Sequence, residues 1–384
     1  MDHDDIAIIG ASVYPFGRHE GVTGLQMGVQ AVRGALSDAG LKWPDIQFAF
    51  GGSEDAGNAD TMVADLGLTG LPFINVKNGC ATGGSSLISA VRALESGAYD
   101  VGAVVGFDNH PRGAFVNFPE DWSLPAWYGE LGMMITTQFF GAKLQRYMFE
   151  HDIPPSTLAQ VAQKAFHNGS LTPHAWRRKP LSVEEILDAK MLANPLTQYM
   201  LCSPGEGGAA LIVCRREYLK NLPDARPVWL RSAAFQTRRA GSFEVFSPSL
   251  SLDIAPSPSV GAASQAFELA GIGPDEVDVL QVQDTEAGAE LIHLAECGFC
   301  EHGEQVEMYQ SGATGIGGRL PVNTDGGCLA NGEPVGASGL RQVFEIVTQL
   351  RGEAGERQVP NAPRVGFTHV YGAPGVSACT VLST

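Results

Sequence analysis

Positive charge is scarce in this 384-residue sequence: 25 Lys and Arg stand against 42 Asp and Glu, a formal net charge of −17. So acidic a chain repels phosphate backbones, and nucleic acid is excluded as an expected partner. Long apolar runs are missing as well, so no bilayer span is expected. The start, Met1-Asp-His-Asp-Asp5, is acidic and has no basic n-region, which gives a cytoplasmic expectation. The seven cysteines form no disulfide framework and suit a reducing compartment. Cys297-Gly-Phe-Cys300 is a solitary CxxC without a second ligand pair. It reads as structural, and neither a metal site nor a required cofactor is expected.

Glycine, in contrast, is plentiful, and one glycine-rich stretch organises the rest. Phe73 to Val76 reads as a strand, Asn78-Gly79-Cys80-Ala81-Thr82-Gly83-Gly84 as a tight turn, and the following apolar residues Leu87, Ile88, Val91 and Leu94 as a helix stopped near Gly97. Such an elbow holds one thiol at the positive end of a helix, where free N–H groups bind an oxyanion.

Strands at 5–10, 47–51 and 101–107 alternate with helices, which points to an α/β chain with a mostly parallel sheet covered on both faces. Residues 109–200 change character: Trp122, Trp127, Tyr128, Tyr147 and Trp176 collect there, with helices expected near 130–150, 155–168 and 182–192. We read this as an insertion over the loop edge of the sheet, where specificity usually resides. Gly205 to Val213 returns to the sheet. Ala31 to Leu41 followed by Pro44-Asp45 then reappears as Ala262 to Ile272 followed by Pro274-Asp275. Two related halves follow, 1–222 and 223–384, with the functional site expected between them. The densest basic run, Trp176-Arg177-Arg178-Lys179, is the candidate for a polyanionic ligand, or else a solvated loop.

The duplicated halves and the cysteine elbow resemble the thiolase superfamily, and within it the sterol-carrier/lipid-transfer thiolases. The likeness is carried by the Cys80 turn, Cys202-Ser-Pro-Gly-Glu-Gly-Gly-Ala-Ala, Gln283-Asp284, Gly318-Arg-Leu-Pro-Val-Asn-Thr-Asp-Gly-Gly327, Gly332-Glu-Pro-Val-Gly-Ala-Ser-Gly339 and His369-Val-Tyr-Gly-Ala-Pro-Gly375. It implies a duplicated thiolase fold, two βαβαβαββ halves in a five-layered αβαβα arrangement with a helical loop-domain insertion. It also implies a homodimer acting on a substrate that carries coenzyme A, and the basic run makes Arg177, Arg178 and Lys179 the candidate CoA contacts.

The departures from that pattern bear on chemistry. Glu333 stands where these enzymes carry the histidine of Gly-His-Pro, and Gln283 where they carry a second one. A cysteine without its histidine is a poor acyl acceptor, and a nearby carboxylate raises its pKa further. The sequence therefore resembles the thiolase-derived aldolases of steroid side-chain degradation. These are implied to cleave a 17-hydroxy steroid bearing a three-carbon CoA side chain to a 17-ketosteroid and propionyl-CoA. A retro-aldol step needs a base, enolate donors and an acid, but no acyl-enzyme. Tyr371 is the first candidate acid/base and Tyr309 the second, with His369 as a possible cation beside Tyr371. The N–H groups of Cys80 and Gly375 are candidate oxyanion donors, and Glu333 is a second base or a fixed charge. The resemblance further implies a partner, the OB-fold zinc domain of a MaoC-like enoyl-CoA hydratase. A Cys80-dependent acyltransferase and a non-catalytic acyl-CoA-binding subunit are the alternatives.

Overall fold

The structure is a computed structural model that describes residues 5–246 and 255–384. The first half runs β1 (Ile6–Gly17), α1 (Gly24–Ala39), β2 (Phe48–Gly52), α2 (Val63–Leu66), β3 (Phe73–Asn75), α3 (Thr82–Glu95) and β4 (Val101–Asn109). Helix α1 begins at a capping box: the Thr23 hydroxyl accepts from the Gln26 N–H, and the Gln26 side chain accepts from the Thr23 N–H. It ends at Gly40 in the left-handed conformation. Its inner face buries Val29, Val32 and Leu36 against the sheet, each contributing roughly 1.5–3 kcal/mol.

The insertion carries α4 (Trp127–Glu130), α5 (Thr136–Glu150), α6 (Pro155–Ser170), α7 (Val183–Leu187) and the hairpin β5 (Met191–Ala193) with β6 (Leu196–Thr197). The helix expected to reach residue 192 stops at Leu187, because Met191 pairs with Thr197 instead. Strand β7 (Glu206–Arg215) then returns to the sheet.

The second half comprises β8 (Val228–Thr237), α8 (Pro258–Ala270), β9 (Val279–Val282), α9 (Ala287–Glu296), α10 (Gln305–Gln310), α11 (Gly327–Asn331), α12 (Ser338–Leu350), β10 (Val365–Gly372) and β11 (Val376–Ser383). The internal repeat is real in three dimensions. Helix α8 also ends on a left-handed glycine, Gly271, and a 3₁₀ turn follows it, as one follows α1.

The strand order is β3-β2-β4-β7-β1-β8-β11-β10-β9. Read outward from the centre, the halves repeat as β1-β7-β4-β2 and β8-β11-β10-β9. The counterpart of β3 is a single bridge, Val322 beside Leu280, parallel as β3 is to β2. The seam is narrow, Ala7 opposite Trp229 and Ile8 opposite Val228. Parallel pairing holds for β3–β2–β4 and β9–β10; the strands nearer the seam run antiparallel. Helices α1 and α8 cover outer faces, while α3 and α12 pack on each other and touch strands of both halves, giving the expected αβαβα layering. Glycine permits that crossing: a Cβ on Gly339 would stand 2.9 Å from the Gly84 nitrogen.

Candidate active site

The Cys80 elbow folds as its sequence dictates. Gly79 has φ 54°, which a side chain rarely adopts, and a Cβ there would meet the Ala373 carbonyl at 2.9 Å. The Asn78 N–H donates to the Thr82 hydroxyl at 2.9 Å, and the Asn78 amide donates to Ser85 at 3.0 Å, locking the turn onto α3. Cys80 thereby sits on the floor of a cavity of about 810 Å³, beside Cys202. The insertion supplies one wall (Phe115, Trp122 and Phe140), as a specificity element would. Val245, Phe246 and Tyr371 continue that wall, Phe246 packing on Trp122 at 5.1 Å, and Glu54 and Lys77, ion-paired at 3.2 Å, also line the cavity.

Glu333 lies beneath this floor, fully buried. Its N–H donates to Ser203 O at 2.9 Å and its carbonyl accepts from the Gly205 N–H at 3.1 Å, tying the second half to the Cys202 segment. Gln283 donates to the Glu333 carboxyl at 3.1 Å and accepts from Gln342 at 3.3 Å. Burial, and then the Glu333 charge, push the Cys80 thiol well above its ordinary pKa. Cys202 is raised for the same two reasons, and burial raises Glu333 itself. The expected effect of a carboxylate on the elbow thiol is therefore present.

A second elbow faces the first. Gly327 has φ 60°, Cys328 follows it, and Asp284 accepts from the N–H groups of Cys328 (2.6 Å) and Leu329. Cys328, like Cys80, has Glu333 among the charges raising its thiol.

Tyr371 also lines the cavity, and its hydroxyl donates to Glu244 Oε2 at 2.6 Å. Burial and the Glu244 charge hold the phenol well above its usual pKa, opposed by a hydrogen bond from the Val245 backbone. Burial also raises Glu244 above the ordinary carboxylate range, against the pull of Lys143, Tyr371 and Arg238. Tyr371 is thus a protonated phenol at neutral pH, an acid rather than a free tyrosinate base.

The structure corrects several expectations. Tyr309 is outside the cavity lining: it is buried among α6 and α9, its hydroxyl donating to Glu290 with Lys164 alongside. The Gly375 N–H is spent on the Gly372 carbonyl at 2.9 Å and is no free oxyanion donor, whereas Cys80 keeps the elbow position. His369 is no cation for Tyr371. Burial and then His293 depress its pKa, and its ring packs on His293 at 4.4 Å while hydrogen-bonding Ser259. Arg177 stacks on Trp176 and donates to Leu329 O and Ser203, so it braces the floor; neither it nor Arg178 nor Lys179 lines the cavity. No described histidine lines the cavity either. Cys297 faces Cys379 and His369 in the core, apart from this site.

Reading the sequence missed Glu244, Glu54 and the pocket role of Phe246. Glu244 sits in Arg238-Arg-Ala-Gly-Ser-Phe-Glu-Val-Phe246, a loop in which one carboxylate carries no local signal, and its partner Tyr371 is 127 residues away. One consequence of the floor is directly measurable. At pH 7.5 Cys80 should alkylate with iodoacetamide more slowly than free cysteine, and Glu333→Gln should speed it, about tenfold for each pKa unit recovered. Peptide mass spectrometry over time reads this out; an unchanged rate in Glu333→Gln would remove the carboxylate from the account.

Residues 247–384 match the family described as thiolase C-terminal domain-like. Over 387 aligned residues the chain is 31% identical to an acetyl-CoA acetyltransferase of Methanothermobacter thermautotrophicus, covering 97% of this chain and 98% of that protein. The chain belongs to the thiolase superfamily. It is of the sterol-carrier-protein-2-like kind: sterol carrier protein 2 of Oryctolagus cuniculus is 28% identical, over 92% of this chain and 67% of that protein. Among solved structures, this thiolase-superfamily chain superposes on an Ltp2–ChsH2(DUF35) aldolase with a TM-score of 0.88 at 23% identity, covering 99% and 98% of the two chains. That likeness establishes the fold. Among the described residues, no helix of this SCP2-like member of the superfamily is long and apolar enough to cross a membrane.

Proposed function

We propose that this protein is a carbon–carbon lyase that cleaves a β-hydroxyacyl-CoA thioester by a retro-aldol reaction. The substrate is a 17-hydroxy steroid with a three-carbon CoA side chain, and the products are a 17-ketosteroid and propionyl-CoA. One observation carries the reading: the floor thiol Cys80 is held protonated against Glu333 with no described histidine in the cavity, while a Tyr371–Glu244 pair meets the same cavity. The first feature removes acyl transfer chemistry, and the second supplies proton chemistry without a covalent intermediate. The lining of Phe115, Trp122, Phe140 and Phe246 suits a rigid polycyclic group, and the fold of the Ltp2–ChsH2(DUF35) aldolase supports the same class. In the reaction the tertiary hydroxyl gives up its proton to the Tyr371–Glu244 pair, and the Cα–Cβ bond pair becomes the thioester enolate as the ketone forms. Tyr371 then protonates Cα, with the Cys80 N–H as donor to the enolate oxygen.

A Cys80-dependent acyltransferase is the second reading, favoured by the retained thiol on the floor and by the acetyltransferase relative. By the same resemblance we assign a homodimer that binds a DUF35-type OB-fold zinc domain, in keeping with the Ltp2–ChsH2(DUF35) neighbour. The deciding experiment incubates the purified protein with the steroid CoA thioester, with and without that partner, and follows both products by mass spectrometry. Ketosteroid release that persists in Cys80→Ala supports the lyase. An acyl adduct on Cys80, or binding without turnover, overturns it in favour of the transferase or of a non-catalytic subunit.

A further inference from the structure

We propose that Glu244 is the proton store of this site, reached from the substrate through the hydroxyl of Tyr371. The inference rests on the retro-aldol reading and adds to it the group that keeps the proton between the two half-steps.

Geometry makes the case. Tyr371 lines the cavity, whereas Glu244 does not and is 1% exposed. The phenol therefore stands between them, its hydrogen aimed at Glu244 Oε2 over 2.6 Å and its oxygen positioned by the Val245 backbone. Behind the carboxylate the packing is tight, for a Cβ on Gly375 would come within 2.7 Å of Glu244 Cγ. A phenol already donating to a carboxylate has no proton to spare for the substrate, but its oxygen can accept one while its own passes on. The substrate hydroxyl proton goes to Tyr371 Oη as the Tyr371 proton goes to Glu244. After bond cleavage the flow reverses, and the enolate Cα takes the Tyr371 proton as Glu244 returns its own. One proton leaves the hydroxyl and one arrives at Cα, so the balance closes without solvent. Burial lifts Glu244 towards the basicity such a store needs.

The charged and titratable groups around the pair are Lys143 of α5, Arg238 after β8 and Glu296 of α9, with the ring of His293 against Tyr371. Burial holds His293 neutral, its pKa lowered to about 3, and lifts Glu296 to about 6. Lys143 and Arg238 are the cations that oppose the rise that burial imposes on Glu244.

The test compares wild type with Glu244→Gln, Glu244→Asp and Tyr371→Phe in two assays. In the first, propionyl-CoA is incubated in D2O and deuterium uptake at Cα is followed between about pH 5 and 9. Wild type should exchange, with a rate that falls as Glu244 protonates in acid. Glu244→Gln and Tyr371→Phe should each lose about a hundredfold, and Glu244→Asp should recover part with a shifted acid limb. Propionyl-CoA affinity should stay unchanged throughout. In the second, near-ultraviolet difference spectra follow Tyr371 ionisation against the Tyr371→Phe background; it should move to lower pH in Glu244→Gln. Near-wild-type exchange or a retained acid limb in Glu244→Gln, an unmoved tyrosine titration, or no exchange in wild type would each overturn the relay. Exchange without steroid cleavage would instead leave the relay standing and remove the retro-aldol reading.

Discussion

Tyr371→Phe is expected to lower kcat for steroid cleavage by about 10³-fold while leaving KM for the CoA thioester within a few-fold. The substitution removes one oxygen from a wall that otherwise holds aromatic and aliphatic groups, so binding area is conserved. What it removes is, among the described residues, the hydroxyl that lines the cavity and bonds Glu244. Its structural cost should be about 1–3 kcal/mol, since it leaves the buried Glu244 carboxylate and the Val245 N–H without the phenol. Steady-state kinetics with thermal melting as a control tests this. Retention of more than about a tenth of the activity would move the acid/base role elsewhere on the wall. A rise in KM at constant kcat would make Tyr371 a binding residue only.

The second large effect is on stability. Arg341 of α12 is fully buried beneath the floor and ion-pairs with the equally buried Asp325. Arg341→Met keeps the aliphatic stem but strands a carboxylate in the core, which should cost about 3–5 kcal/mol at neutral pH. The pH dependence gives the mechanism away. Burial alone would push Asp325 up; the charges of Arg341 and His174 outweigh it and hold it below the ordinary range. Its stabilising contribution is therefore present above the unfolded value of about 3.9 and lost only as pH falls through the lower folded value. In the variant, burial dominates and the folded pKa rises above the unfolded one, so protonation in mild acid relieves the penalty. The gap between variant and wild type in urea unfolding should be widest near neutrality and narrow as pH falls. A gap that widens in acid, or is below about 1 kcal/mol at neutrality, would contradict this account.

Local chemistry explains what could be read in advance. Helix ends at Gly40 and Gly271, the Gly79 turn and the internal repeat depend on backbone preference and spacing, which a sequence displays directly. Strand direction does not: β4 and β7 are apolar along nearly their whole length, as expected of parallel strands, yet they pair antiparallel with each other. At the site, the Cys80–Glu333 contact was legible because both residues fall in recognisable turns. Tyr309, Gly375 and Arg177 were misplaced because residue type says nothing about which bonds are already taken. Each has a partner distant in sequence or across a turn: Glu290, the Gly372 carbonyl, and Ser203 with Leu329. Glu244 was invisible for the converse reason, since it gains its environment only when α5, β10 and the loop after β8 come together.

The paired elbows have a consequence for how this polypeptide can change. Cys80 comes from one copy of the repeat, and Glu333, which governs its thiol, from the other, close to the twin Cys328. The chain thus behaves as two subunits that share a single genetic locus and have divided their labour. Exchanging one half for that of a relative would split a matched pair, and a hybrid should inherit a thiol tuned by the wrong neighbour.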